Sequence, residues 1–105
     1  SILLIQWEDR ASVLYLTDGS RYVTGDSLSE LEARLPSNLF FRCHKSYIVN
    51  FDYIGEFCRQ MVVLRDGTQL PVSRTYRAAV SEVMHKLLKE SGVSLDEDEH
   101  EKSAA

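Results

Sequence analysis

The sequence predicts a mostly β protein of the α+β kind, with antiparallel strands, one short helix and one C-terminal helix. A repeated hairpin pattern and two helix-start signals carry that prediction. Val13 to Thr24 is an apolar run, an Asp18-Gly19 turn and a second apolar run, and Met61 to Val72 repeats the pattern around Asp66-Gly67. Asp-Gly between two such runs is the strongest short-range hairpin signal, because both residues tolerate the left-handed backbone of a tight turn.

The elements follow in chain order. Ile2 to Ile5 opens an apolar strand almost at the first residue, so the chain is expected to have been excised from something longer. Arg10 falls on the polar turn between the first two strands. After the first hairpin, Ser27 and Glu30 have capping-box spacing, in which the serine accepts from the backbone N–H three residues on and the glutamate reaches back. The helix runs to about Leu35, with Leu28, Leu31 and Leu35 on one face, and Pro36 stops it. Phe40 to Arg42, Tyr47 to Val49 and Tyr53 to Cys58 are rich in aromatic and β-branched residues and read as strands. Pro71 marks a sheet edge or a strand start, since proline has no N–H for the ladder. Ser73 is the expected cap of the last helix, where Tyr76, Val80, Val83, Met84, Leu87 and Leu88 recur at steps of three and four and form a core face; Gly92 is its expected stop.

At 105 residues the chain has room for one domain. Apolar residues make up 44%, aromatics 10% and charged residues 27%, the balance of a chain that buries a core. The formal charge of −4 argues at first against nucleic acid, whose phosphates are held mainly by Lys and Arg. Residues 94–105, however, carry five carboxylates against one lysine, so the whole net charge belongs to them. Residues 1–92 are therefore expected to form a neutral domain, and residues 93–105 an acidic, flexible tail that could screen a basic face. No apolar run approaches the length of a membrane span, and a cytoplasmic location is the default expectation. Cys43 and Cys58 lack CxxC spacing, and with three histidines there is no zinc pattern; two mostly buried thiols are expected, with no metal and no cofactor.

Catalysis finds little support. Cys43-His44 is the only adjacent nucleophile and base, and on a strand neighbouring side chains point to opposite faces. No glycine-rich phosphate loop or HExxH appears, so neither an enzyme nor a small-molecule substrate is expected. Binding chemistry is richer. Arg42, His44, Lys45 and Ser46 stand between two apolar runs that would hold them as a rigid loop, and Arg or Lys matches the guanine O6/N7 edge. Read from composition alone, Arg42 and Lys45 are equally ordinary surface charges. A second cluster begins at Ser73, where Arg74, Thr75 and Arg77 fall in the first turn of the last helix. Cations there oppose the helix dipole, whereas an anion would complement both. Ser27 and Ser29 offer a similar, uncharged site at the other helix start.

Three motifs in order, Leu28-Ser29-Glu30-Leu31-Glu32-Ala33-Arg34-Leu35-Pro36, Phe40-Phe41-Arg42-Cys43-His44-Lys45-Ser46-Tyr47-Ile48-Val49-Asn50 and Asp66-Gly67-Thr68-Gln69-Leu70-Pro71-Val72-Ser73-Arg74-Thr75-Tyr76, resemble the LytTR family of DNA-binding domains over about Ile2 to Leu88. The resemblance implies an elongated stack of small antiparallel sheets at the C-terminal end of bacterial response regulators. It implies one or two further strands ahead of Ile2 and a possible receiver domain in the full-length protein. It also implies binding to double-stranded promoter DNA, as a dimer on direct repeats, with loops in successive major grooves. Carried over by position, base reading falls on Arg10, Lys45, Arg74 and Thr75, and phosphate contacts on Ser27, Ser29, Arg42, His44, Ser46, Ser73 and Arg77. Asn50 either caps a turn or touches DNA, and Cys43 stands where some members carry a redox-sensitive thiol. The alternative is a protein-interaction or dimerisation module that keeps the same fold.

Overall fold

A computed structural model of the chain describes residues 1–90. The expected tail, the domain boundary at residue 92 and the Gly92 stop lie outside the described residues. Five strands, β1 (Ile2–Glu8), β2 (Ala11–Leu16), β3 (Arg21–Thr24), β4 (Phe40–His44) and β5 (Tyr47–Asn50), form an antiparallel sheet in the order β3-β2-β1-β5-β4. Three more, β6 (Ile54–Phe57), β7 (Met61–Leu64) and β8 (Gln69–Pro71), form a smaller antiparallel sheet. Two α-helices complete the described fold, α1 (Leu28–Arg34) and α2 (Arg77–Glu90).

Side-chain alternation along the larger sheet sorts the core into two layers. Ile5, Phe40 and Ile48 face α1 and bury Leu28 between them. Leu4, Phe41, Cys43 and Val49 face the other way, onto Val62, Leu64 and Leu70 of the small sheet and Val80, Met84 and Leu87 of α2. Burying each large aliphatic side chain stabilises by about 1.5–3 kcal/mol, so the central sheet is held from both faces. The result is an elongated body of 45 × 28 × 24 Å.

Both Asp-Gly hairpins form, with the same turn. Gly19 and Gly67 stand at φ 92° and 93°, and their N–H groups donate to Leu16 O at 3.0 Å and Leu64 O at 2.9 Å. Leu16 and Leu64 then donate to Ser20 O at 2.9 Å and Thr68 O at 2.8 Å, which makes each a three-residue loop closed by a glycine bulge. Thr68 N–H and both donors of Ser20 bind the Asp66 and Asp18 carboxylates, and these bonds hold both carboxyls below their usual range. Pro71 lies on β8, an edge strand, as its missing donor requires.

The α1 capping box is complete. Glu30 N donates to Ser27 Oγ at 3.1 Å, and Ser27 N donates to the Glu30 carboxylate at 2.8 Å. The start of α2 departs from expectation. Arg74–Tyr76 form a 3-10 turn ahead of the helix, and the Ser73 side chain makes no capping bond. The Ser73 N–H donates to Cys43 O at 3.1 Å, which ties the backbone here to β4. Asn50 is buried and caps a turn: its carbonyl oxygen accepts from Asp52 N at 2.9 Å and its amide donates to Ile2 O at 2.7 Å. Of the two thiols only Cys43 is buried; Cys58 is exposed at the end of β6, which corrects the expectation for that residue.

Candidate nucleic-acid interface

Strand register places several of the expected contact residues at one end of the larger sheet. The Asp9-Arg10 turn joins β1 to β2, where Glu8 pairs with Ala11. Tyr47 at the start of β5 lies opposite Gln6, so the Lys45-Ser46 turn feeding β5 sits beside the end of β1, and Trp7 N donates to Ser46 O at 2.9 Å. Thr24 ends β3 opposite Ser12, whose hydroxyl donates to Asp26 O at 2.6 Å, so the lead-in to α1 reaches the same end. Ser27, Ser29, Arg42 and Lys45 line one shallow cavity of about 200 Å³ together with Trp7. The Asp18-Gly19 turn lies at the other end of β2 and β3.

Arg10 is held in an unusual backbone. Asp9 and Arg10 stand at φ 52° and 62°, the only non-glycine residues with positive φ among the described residues. A two-residue hairpin turn of this hand needs left-handed backbone at both positions and normally uses Asn-Gly or Asp-Gly. Arg10 takes the glycine position, at a cost of about 1–2 kcal/mol. Its side chain is exposed and forms no ion pair among the described residues.

The loop expected between the central apolar runs is shorter than the sequence suggested. β4 runs through His44, which leaves only Lys45 and Ser46 in the turn. Arg42 braces that turn from beneath: Nη2 donates to Lys45 O at 2.7 Å, Nε to His44 O at 3.3 Å, and Nη1 pairs with the Glu32 carboxylate of α1 at 3.2 Å. The guanidinium also lies 5.6 Å from the centre of the Tyr76 ring, and only 11% of the side chain is exposed. These bonds occupy Arg42 inside the protein, so the geometry gives it a structural task where the sequence suggested a phosphate contact. Ser46 N donates to His44 Nδ1 at 3.1 Å, which leaves the imidazole proton on Nε2. The Lys45 backbone is thus clamped while its ammonium stands exposed and without an ion pair among the described residues.

Arg74 and Thr75 are exposed on the 3-10 turn, and Arg77 is half-buried at the start of α2. The bond from Ser73 to Cys43 O sets this turn against the outer edge of β4, next to the Lys45 turn. Of the expected serines, Ser27 already accepts within its capping box, and Ser29 is exposed. Cys43 is fully buried and its thiol is pushed up to about 12, first by loss of hydration. That environment suits neither a nucleophile nor an accessible redox thiol. Trp7 was not singled out in the sequence, although β1 runs straight into this end of the sheet. It is 37% exposed, the kind of half-wet aromatic that favours contact surfaces. No group of metal-ligating side chains occurs among the described residues, and no helix there is long and apolar enough to cross a membrane.

The family model of the LytTr DNA-binding domain matches residues 1–85. The chain belongs to the LytTr DNA-binding domain family. Sensory transduction protein LytT of Bacillus anthracis is 33% identical to this LytTr domain over 99 residues, covering 80% of the chain and 39% of that protein. The Escherichia coli K12 transcriptional regulatory protein BtsR is 32% identical over 96 residues, covering 79% of the chain and 39% of that protein. LytT of Bacillus subtilis is 35% identical over 69 residues, 61% of the chain and 29% of the relative. The LytTr domain thus spans well under half the length of these relatives. A solved structure, the LytTr DNA-binding domain of a putative methyl-accepting/DNA response regulator from Bacillus cereus, shares the fold. Its TM-score is 0.73 at 24% identity, over 79% of this chain and 80% of that one.

Proposed function

We propose that this LytTr domain binds promoter DNA sequence-specifically within a bacterial transcription regulator, by contact alone and without catalysis. The observation that carries the reading is the convergence of Arg10 and Lys45, two exposed cations on stiff two-residue turns, at one end of a single sheet. Lys45 and Arg10 read base edges in a major groove, and Thr75 with Arg74 read from the 3-10 turn alongside. The Ser29 and Ser73 hydroxyls, the outward His44 Nε2 and Arg77 hold phosphates, with Ser27 and Ser46 as further hydroxyl contacts. Arg42 keeps the Lys45 turn in place from behind and is not carried as a phosphate ligand.

Two copies occupy a direct repeat, so that each reads one groove. The rest of the regulator, a receiver domain or another signal-sensing part, controls when they do so. Because residues 1–93 carry equal numbers of basic and acidic side chains, non-specific affinity is low and base contacts carry a large share of the discrimination. The direct test is a mobility shift with a duplex selected from a random pool, repeated at two salt concentrations. The reading predicts a shift for the selected duplex that weakens as salt rises. The same affinity for selected and scrambled duplexes would contradict it.

A further inference from the structure

We propose that Arg59, Arg77 and Ser81 form a phosphate site that grips one backbone phosphodiester in a cavity they share with the base-reading Arg74, an assignment that rests on the DNA-binding reading above. The four residues, with Ala78 as the floor, line a cavity of about 520 Å³. Arg59 comes from a different part of the fold than the other three. It sits on the β6–β7 turn, closed by Cys58 N donating to Met61 O at 2.9 Å. The neighbouring Gln60 carbonyl accepts from Val72 N at 2.9 Å, just before Ser73 and the 3-10 turn. That bond ties the β6–β7 turn to the segment leading into the 3-10 turn. Arg74, Arg77 or Ala78, and Ser81 follow at steps of three and four, so they share one face around the start of α2.

The charge around this cavity calls for an anion. None of the three arginines takes part in an ion pair among the described residues, although three like charges around one cavity repel one another. The first turn of α2 carries no acidic residue and the segment before it has no side-chain cap, so the helix supplies no anion of its own. Guanidinium forks and a hydroxyl match the tetrahedral oxygens of a phosphate. A phosphodiester is favoured because the cavity adjoins the turn that places Arg74 and Thr75, and β4 joins that turn to Lys45. In the sequence Arg59 lies outside all three motifs.

The test uses the full chain in anisotropy titrations against a selected duplex and an unrelated duplex over a series of salt concentrations, comparing wild type, Arg59→Ala, Arg59→Lys and Lys45→Ala. Arg59 is exposed on a turn, so its replacement leaves the core intact. Arg59→Ala is expected to lower the slope of log affinity against log salt by about 0.9, one released counterion, and to weaken both duplexes by a similar factor. Arg59→Lys is expected to restore most of the slope. An unchanged slope and affinity in Arg59→Ala, while Lys45→Ala weakens the selected duplex, would overturn this site and leave the DNA-binding reading standing. A loss in Arg59→Ala confined to the selected duplex would make Arg59 a base reader and overturn the phosphate assignment. Failure of the wild-type chain to bind either duplex would overturn the DNA-binding reading and this site with it.

Discussion

Arg10 occupies left-handed backbone at φ 62°, where a glycine would sit without strain. Strain of this kind persists where the surrounding fold imposes it, and it often marks a functional position. Arg10→Gly is therefore expected to raise stability by about 1 kcal/mol in urea unfolding while weakening binding to the selected duplex. Arg10→Ala should weaken binding without the gain in stability, which separates the side chain from the backbone. The thiols offer a second test at this scale. Cys43 is fully buried with its thiol pushed up to about 12, so it stays protonated at mildly alkaline pH. Cys58 is exposed. A thiol reagent on the native protein should label Cys58 quickly and Cys43 only at the rate of unfolding. Rapid labelling of both would mean that Cys43 is accessible to oxidants after all.

The Lys45 turn takes its stiffness from elements on both sides. Trp7 of β1 holds it by one carbonyl, and Arg42 of β4 holds it by two more. Arg42→Ala leaves His44 O and Lys45 O without that donor and is expected to cost about 1–3 kcal/mol. It should also speed amide exchange at Ser46 and lower DNA affinity by loosening the turn that carries Lys45. Glu32 is half exposed, and Glu32→Gln breaks only an ion pair worth about 0–1 kcal/mol, so exchange at Ser46 should barely change. Equal exchange in wild type and Arg42→Ala would show that the turn needs no brace. Most of these elements were legible in the sequence because their causes are local: Asp-Gly turns, a capping box, a proline stop and the three-and-four spacing of α2. The start of α2 was legible only in part. Ser73 takes the cap position without a side-chain bond, and its N–H goes to the Cys43 carbonyl thirty positions away, a bond that nothing in the local sequence announces.

At the scale of the molecule, the net charge of −4 gave the wrong first signal, since an average over 105 residues conceals twelve that carry all of it. The family resemblance pointed to Arg10, Lys45 and Arg74, and the register of β1, β2 and β5 shows that two of them share one end of the larger sheet. What the sequence concealed is the difference between cations that face outward and those that are occupied. Arg42 reads as a surface charge and is turned inward, whereas Arg59 lies outside all three motifs and stands beside two other arginines. In the proposed function this sheet end reads bases, with Lys45 an exposed cation on a clamped turn. This is tested most directly by selecting bound sequences from a random duplex pool with wild type and Lys45→Ala and comparing preference position by position. Lys45→Ala is expected to lose about 1–3 kcal/mol of preference at one position of each half-site and to keep it elsewhere. Recovery of the same motif with the same preference at every position would contradict it.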